Sequence, residues 1–320
     1  MRSINRWEKT LLLATASLFF ASLCNLAAAS TVESNAKTVH PSTLRVASAK
    51  HKRHKHVHVA RVSRDTPSLK STSVLVIDEA DSSVLLSRKA DVPVPIASIT
   101  KLMTALVVLE AKLPLDEPLE ITRADRDMER SGGSRLAVGT VLSRGDLMHL
   151  ALMSSENRAA HALGSNYPGG LPAFVQAMNA KAHVLGMTHT HFIEPTGLSE
   201  QNVATAEDLH KLVIAASHHP TIREYSTDQH YTVKLGRRTV EFRNTDTLVS
   251  NPGWDIVVQK TGYITEAGRC LVMKAVIEGR SIVIVLLDSV GKYTRVADAQ
   301  RIKKWMEAGV DERAARVLMR

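Results

Sequence analysis

Short apolar runs typical of strands lie near both ends of this 320-residue chain, and helical patterns fill the stretch between them. The early runs 74–77 and 84–86 flank a polar turn, which predicts a β-hairpin. Three late runs have the same character: 256–264, 269–277 and 281–287. Strands bury their apolar faces by joining a common sheet. The sequence therefore predicts one domain over residues 71–320, in which both ends build a sheet and a helical lobe is inserted.

The positive charge of the chain is confined to its first part. The formal net charge is +9, of which residues 1–29 carry +2 and residues 30–70 carry +7, so residues 71–320 are neutral. A nucleic-acid-binding fold normally carries a basic face of its own. We therefore expect no nucleic-acid partner.

Residues 1–29 have the pattern of a secretory signal: a basic start, a short apolar run and Ala27-Ala28-Ala29. This predicts export to the periplasm, with cleavage or retention as an anchor left open. Residues 30–70 are rich in Lys, His and Ser, which predicts a disordered linker. We interpret the linker as a solvated tether, with weak wall or membrane contact as the alternative. Cys270, in an apolar run, is expected to be a buried hydrophobe.

The first chemistry-bearing motif is Ser98-Ile99-Thr100-Lys101, at the predicted start of a helix. Positions i and i+3 share a helix face, so the Lys101 amine can reach the Ser98 hydroxyl. A serine nucleophile needs an adjacent base, and a lysine serves as one only in its neutral form. Taken alone, the motif fits a helix-capping serine with a surface lysine better than a nucleophile.

Two further motifs follow along the chain. Ser155-Glu156-Asn157 lies between helical patterns, where Ser155 can relay a proton and the Asn157 amide can hold a substrate carbonyl. Lys260-Thr261-Gly262 lies in a late strand, where Lys260 and Thr261 make a carboxylate-binding pair. Gly262 would let a substrate backbone approach that strand. The three motifs in this order are typical of penicillin-binding proteins and class A β-lactamases.

Residues 73–306 resemble the low-molecular-mass penicillin-binding proteins, the D-alanyl-D-alanine carboxypeptidase/endopeptidase family of serine peptidases. Besides the three motifs, four segments are similar to that family: Ser131-Gly132-Gly133-Ser134-Arg135, Val138-Gly139, Phe192–Leu198, and Tyr263 with 267–272. The resemblance implies an α+β fold of the β-lactamase/transpeptidase type, with helices covering a mainly antiparallel sheet. The short chain resembles the DD-endopeptidase branch, which cleaves cross-links between peptidoglycan stem peptides and is acylated by β-lactams.

The resemblance also implies a role for each matching residue. Ser98 would be the acylated nucleophile, Lys101 its base, and Ser155 the proton donor to the leaving group. The substrate would be bound by Asn157, Lys260, Thr261, Gly262 and Tyr263, with the backbone N–H groups of Ser98 and Tyr263 forming an oxyanion hole. The sequence has no metal-ligand set or nucleotide-binding fingerprint, so we expect no metal and no cofactor.

Three alternatives stay open at this point. A DD-carboxypeptidase, which removes only a terminal D-Ala, would use the same residues. A β-lactamase would need a base that hydrolyses the acyl-enzyme, and Glu194 is the one tempting position, although its setting lacks an E-x-x-L-N pattern. A non-catalytic wall-binding module is disfavoured because the full set of reactive residues is intact.

Overall fold

The computed structural model describes residues 66–127 and 133–318, with side chains described as far as residue 309. The predicted signal, residues 30–65 of the predicted linker, and Ser131 and Gly132 of the family-like segment lie outside the described residues. The limits proposed for the signal and the linker therefore stay predictions.

Strands from both ends of the domain form one sheet, as the sequence predicts. In chain order the strands are β1 (Ser71–Asp78), β2 (Ser83–Arg88), β3 (Val94–Pro95), β4 (Pro118–Glu120), β5 (Val141–Ser143), β6 (Val203–Ala204), β7 (His230–Leu235), β8 (Arg238–Arg243), β9 (Asp255–Ile264), β10 (Gly268–Ile277) and β11 (Arg280–Ser289). The main sheet is antiparallel, in the order β2-β1-β11-β10-β9. The first strand, β1, pairs with the last strand, β11, so the two ends of the domain meet in the middle of the sheet. Strand β9 is an edge strand of this sheet.

The helices lie mostly between the early and the late strands. They are α1 (Thr100–Glu110), α2 (Arg123–Asp127), α3 (Arg144–Met153), α4 (Asn157–Ser165), α5 (Gly170–Val184), α6 (Ala206–Ser217), α7 (Pro220–Thr227) and α8 (Thr294–Leu318), with short 3₁₀ turns at Ala97–Ile99 and Thr247–Ser250. The closing helix α8 is longer than the predicted 294–307. None of the described helices is long and apolar enough to cross a membrane.

The β7–β8 hairpin is absent from the sequence prediction. Its strands alternate exposed and half-buried residues, and only Val233 and Phe242 are fully buried. A strand that buries so little has no apolar run by which to recognise it. Pairing across the hairpin, from His230 with Arg243 to Leu235 with Arg238, becomes visible only in three dimensions.

The sheet buries both of its faces, because side chains on a strand alternate between them. On β11, Val283 and Val285 belong to the core shared with the helical lobe, which includes Leu209 of α6. Ile284 points the other way, into a second core that Ile302 of α8 completes. This three-layer arrangement holds β9 between the lobe and α8, which is where the predicted site residues meet.

Candidate active site

Ser98 lies in a tight turn that leads into α1. The 3₁₀ turn Ala97–Ile99 continues directly into the helix, and the Thr100 hydroxyl donates to the Ala97 carbonyl at 2.8 Å. Ala97 has φ +48°, a left-handed conformation that costs a non-glycine residue about 1–2 kcal/mol. Ser98 itself is half-buried. The strained turn thus presents the Ser98 hydroxyl at the start of a rigid, buried helix.

Lys101 is fully buried, and its amine contacts three oxygen acceptors. The Nζ atom lies 2.8 Å from Ser98 Oγ, 2.7 Å from Asn157 Oδ1 and 2.6 Å from the Thr196 carbonyl oxygen. The i, i+3 contact with Ser98 is the one the sequence predicts. The amide oxygen of Asn157 accepts from Lys101, so Asn157 orients the base, and its predicted contact with substrate stays a prediction.

Ser155 lies in the sharp connection between α3 and α4. A capping box starts α3: the Ser143 hydroxyl accepts from the Asp146 N–H at 3.0 Å, and the Ser143 N–H donates to the Asp146 carboxylate. After α3 ends at Met153, Ser155 adopts φ +61° and is half-buried, and α4 starts at Asn157. The turn brings the second motif to the same place as Lys101.

Strand β9 brings the third motif against the Ser98 turn. A Cβ atom placed on Gly262 would lie 3.0 Å from the Ile96 carbonyl oxygen and 3.1 Å from the Ser98 nitrogen. Only a residue without a side chain allows this approach at its present distance. The structure therefore joins the three motifs, which are distant in sequence, at one cleft.

Lys260 is fully buried under this cleft, and its amine donates to the Thr261 carbonyl at 2.9 Å. Burial lowers the pKa of Lys260 well below its usual value; the nearby charges of Lys101 and Arg295 lower it further, while Asp246 opposes them. Burial in turn raises the pKa of Asp246. Two basic side chains, Lys260 and Arg295, lie near the single carboxyl group of Asp246, so the pocket is suited to a carboxylate ligand.

Arg295 is a site residue that the sequence analysis missed. It lies near the start of α8, is nearly buried, and donates from Nη1 to the Gly262 carbonyl at 3.0 Å. Burial lowers the pKa of Arg295, and the charge of Arg269 adds to the effect. In the sequence Arg295 looks like any other cation of the basic closing helix, so no local signal distinguishes it.

Thr245 is a second missed residue. Its side chain is exposed, and its Oγ1 lies 2.6 Å from Thr261 Oγ1, a hydrogen bond in which either hydroxyl can donate. The Thr245 N–H donates to the Met153 carbonyl at 3.1 Å, at the end of α3. Thr245 therefore links the Ser155 turn to β9 at the cleft.

The loop from Glu194 to Leu198 forms the wall behind Lys101. The buried Glu194 carboxylate accepts from the Thr196 N–H and the Gly197 N–H, each at 2.6 Å, and from Asn202 Nδ2 at 2.9 Å. Gly197 has φ +82°, and a Cβ there would lie only 1.9 Å from the Ala97 carbonyl oxygen. Glu194 thus shapes the loop that offers the Thr196 carbonyl to Lys101. Its carboxylate is engaged by that loop, which argues against a role as a β-lactamase base.

Tyr263 and Cys270 differ sharply in exposure. Tyr263 is 54% exposed, and the Arg269 guanidinium lies 4.3 Å from its ring centroid. Cys270 is fully buried, as predicted, and burial raises its pKa to about 11. Its thiol is therefore protonated at neutral pH.

Across residues 66–127 and 133–318, no group of three or more His, Cys, Asp or Glu residues could hold a metal ion.

Comparison with known proteins confirms the resemblance that the motifs predict. A family model described as D-alanyl-D-alanine carboxypeptidase, peptidase family S11, matches residues 60–291. The chain is 52% identical to the D-alanyl-D-alanine endopeptidase of Pseudomonas aeruginosa over 243 residues, which covers 75% of this chain and 78% of that protein. It is 46% identical to the D-alanyl-D-alanine endopeptidase of Escherichia coli over 252 residues, 78% of this chain and 81% of that protein.

Solved structures confirm the predicted fold class. The DD-transpeptidase of Streptomyces K15 aligns with a TM-score of 0.71 at 28% identity, covering 76% of this chain and 99% of that one. A D-alanyl-D-alanine carboxypeptidase from Mycobacterium tuberculosis aligns with a TM-score of 0.71 at 27% identity, covering 79% and 96%. The helix-covered antiparallel sheet is therefore an architecture that DD-peptidases share.

Proposed function

Because the chain belongs to the D-alanyl-D-alanine carboxypeptidase family of serine peptidases, family S11, we propose that it is a D-alanyl-D-alanine endopeptidase that cleaves cross-links between peptidoglycan stem peptides. The observation that carries this proposal is the contact of 2.8 Å between Lys101 Nζ and Ser98 Oγ, at the point where β9 meets the Ser98 turn. The names of the two relatives described above support the endopeptidase over the carboxypeptidase.

In the first half of the reaction, Ser98 attacks the D-alanyl carbonyl. The Ser98 hydroxyl gives its proton to a neutral Lys101 amine as its Oγ bonds to the carbonyl carbon. The oxygen of the tetrahedral intermediate is bound by the backbone N–H groups of Ser98 and Tyr263, and each such donor is worth about 3–4 kcal/mol in the transition state. Collapse breaks the C–N bond, and a proton passed through Ser155 leaves with the amine. The product on the enzyme is an ester of Ser98.

In the second half, a water molecule takes the place of the departed amine. The water loses a proton to the same base and attacks the ester carbonyl, and Ser98 recovers its proton as the bond to Oγ breaks. Until the amine departs, Lys260 and Thr261 hold the carboxylate that lies beyond the cleaved bond, with Arg295 adding positive charge beneath them. A β-lactam carries a carboxylate and a reactive carbonyl in the same relation, so it acylates Ser98 as well.

The decisive assay offers the enzyme two substrates: cross-linked muropeptide dimers and monomeric pentapeptides. An endopeptidase converts dimers to monomers, whereas a carboxypeptidase leaves dimers intact and removes the terminal D-Ala of the pentapeptide. Ser98→Ala should abolish both activities. Persistence of dimer cleavage in Ser98→Ala would refute the proposed nucleophile. Rapid turnover of penicillin, in place of a stable adduct, would favour the β-lactamase alternative.

The site of action that we propose is the periplasm, where cross-linked peptidoglycan is found. The support is the signal-like pattern of residues 1–29 and the basic, His-rich composition of the segment that follows. N-terminal sequencing of protein recovered from a periplasmic extract tests this. A start after Ala29 indicates cleavage, an intact Met1 in the membrane fraction indicates an anchor, and protein confined to the cytoplasm contradicts the proposal.

A further inference from the structure

A groove of about 830 Å³ lies beside the cleft, between the segment 135–141 and the β7–β8 hairpin. Two arginines line it, Arg135 on one wall and Arg238 on the other, and both side chains are exposed. Val138 and Val141, which are 40% and 54% exposed, give it apolar surface. None of the described lining residues carries a carboxylate.

Two contacts with the hairpin hold the Arg135 side chain. Arg135 Nη1 donates to the Glu241 carbonyl at 2.7 Å, and its guanidinium lies 3.8 Å from the Phe242 ring centroid. Glu241 itself does not neutralise the groove, because its carboxylate accepts from Arg243 Nε at 2.9 Å. The hairpin therefore holds the positive charge of Arg135 in the groove, although residues 71–320 as a whole are neutral.

The groove is tied to the active site at both walls. Next to Arg135, the Ser134 hydroxyl bonds to Glu156, the residue between Ser155 and Asn157. On the hairpin side, Phe242 is three residues before Thr245, which contacts Thr261. Phe242 lies against Arg135, a residue of the groove lining. Three residues of chain span at most about 10 Å, whereas an extended stem peptide of four or five residues spans about 13–18 Å, enough to pass from Thr245 to Arg135. A peptide that leaves the cleft on this side is long enough to enter the groove.

We propose that this arginine groove binds the second stem peptide of a cross-linked substrate, with Arg238 and Arg135 pairing with its terminal carboxylate. The inference rests on the proposed endopeptidase function, because only a cross-linked substrate carries a second stem. A guanidinium is well suited to such a carboxylate, since its planar donors form paired hydrogen bonds. Beyond the cleaved bond a monomeric pentapeptide has only its terminal D-Ala, which is too short to reach the groove. The groove therefore selects cross-linked peptides over monomers.

The test compares Arg238→Glu with Arg237→Glu. Arg237 lies in the hairpin turn, one residue along and outside the groove lining, so the control makes the same charge change next to the site. With a cross-linked peptide dimer that lacks sugars, Arg238→Glu should raise KM about tenfold and leave kcat unchanged. The KM for pentapeptide and the rate of acylation by penicillin should not change in either variant, which also shows that both fold.

A second substrate, a dimer in which the terminal carboxylate of the second stem is amidated, tests whether Arg238 recognises that carboxylate. The wild-type KM for this dimer should be higher than for the free acid, and Arg238→Glu should raise it much less than it raises the KM for the free acid. The proposal would be refuted if wild type and Arg238→Glu had equal KM values for the free-acid dimer. It would also be refuted if Arg238→Glu and Arg237→Glu raised that KM equally. An effect that requires the sugars would assign the groove to the glycan and overturn the peptide proposal.

The failure of this inference can be told apart from failure of the proposed function. If the wild type does not cleave dimers, binding of the peptide dimer to Ser98→Ala protein still measures the groove directly. If Arg238→Glu weakened binding and Arg237→Glu did not, the groove would still bind the second stem although the protein would not be an endopeptidase. If the wild type cleaved dimers and the two variants bound the dimer equally well, the endopeptidase function would be supported and the proposed role of the groove would be refuted.

Discussion

Replacing Gly197 by alanine should disable acylation of Ser98. The added Cβ would lie 1.9 Å from the Ala97 carbonyl oxygen, about 1.5 Å closer than the 3.4 Å at which ordinary contact begins. Either the loop that offers the Thr196 carbonyl or the turn that carries Ser98 must move by that amount. A misplacement of about 1 Å can cost about 100-fold in rate. We therefore expect acylation by a fluorescent penicillin to fall by about 100-fold or more.

Gly186→Ala is the matched control. Gly186 has φ +69°, close to the +82° of Gly197, but a Cβ there meets no atom within 4 Å. Both variants carry the conformational cost of a left-handed alanine, about 1–2 kcal/mol, and only one carries the clash. Gly186→Ala should lower Tm by a few degrees and acylate at the wild-type rate.

Gly262→Ala supplies an intermediate case that remains interpretable if Gly197→Ala fails to fold. Its Cβ would lie 3.0 Å from the Ile96 carbonyl oxygen and 3.1 Å from the Ser98 nitrogen, so a shift of a few tenths of an ångström suffices. We expect a loss of about 5- to 20-fold in the acylation rate. Wild-type acylation in folded Gly197→Ala or Gly262→Ala protein would refute the claim that these approaches position Ser98.

Three further predictions test the surroundings of the site. Glu194→Gln should lower the free energy of unfolding by about 2 kcal/mol in urea titrations, because a buried charged acceptor is lost. The control is Glu200→Gln, a substitution at a nearby exposed residue, which should have no effect. Equal stabilities of the two variants would contradict the role of Glu194. Because burial lowers the pKa of Lys260, KM for carboxylate substrates should rise with pH as Lys260 loses its proton, at a lower pH than an ordinary lysine would. The contribution of Lys260 to the free energy of unfolding should increase with pH from its lowered pKa up to the pKa in the unfolded chain, about 10.4. A KM that rises only at about pH 10.4 would contradict the lowered pKa. Arg295→Met should raise KM about tenfold or more, because it removes a buried cation next to Gly262. The control is Lys304→Met: Lys304 is exposed on the same helix, so this substitution should leave KM unchanged.

The residues that could be predicted from the sequence are those whose chemistry depends on local spacing. Ser98 and Lys101 meet across one helical turn, so their contact follows from the i, i+3 geometry. Lys260, Thr261 and Gly262 lie in an apolar run that could be recognised as a strand. The order of strands and helices was enough to predict a sheet built from both ends of the chain.

The residues that could not be predicted depend on contacts between distant segments. Arg295 reaches Gly262 only because α8 packs across the sheet, and Thr245 reaches Thr261 only because a loop folds back beside β9. Glu194 was considered as a base for hydrolysis, but its hydrogen bonds show that it organises a loop. The Asn157 amide oxygen accepts from Lys101, which no spacing rule indicates.

The most direct test of the account is to locate the penicillin adduct on the full chain. After incubation with a penicillin, digestion and mass spectrometry should find a single modified peptide, with the added mass on Ser98. The adduct should be absent from Ser98→Ala and greatly slowed in Lys101→Ala. An adduct on Ser155 or on any other residue, or wild-type labelling of Ser98→Ala, would contradict the central claim that Lys101 activates Ser98 at the junction of the three motifs.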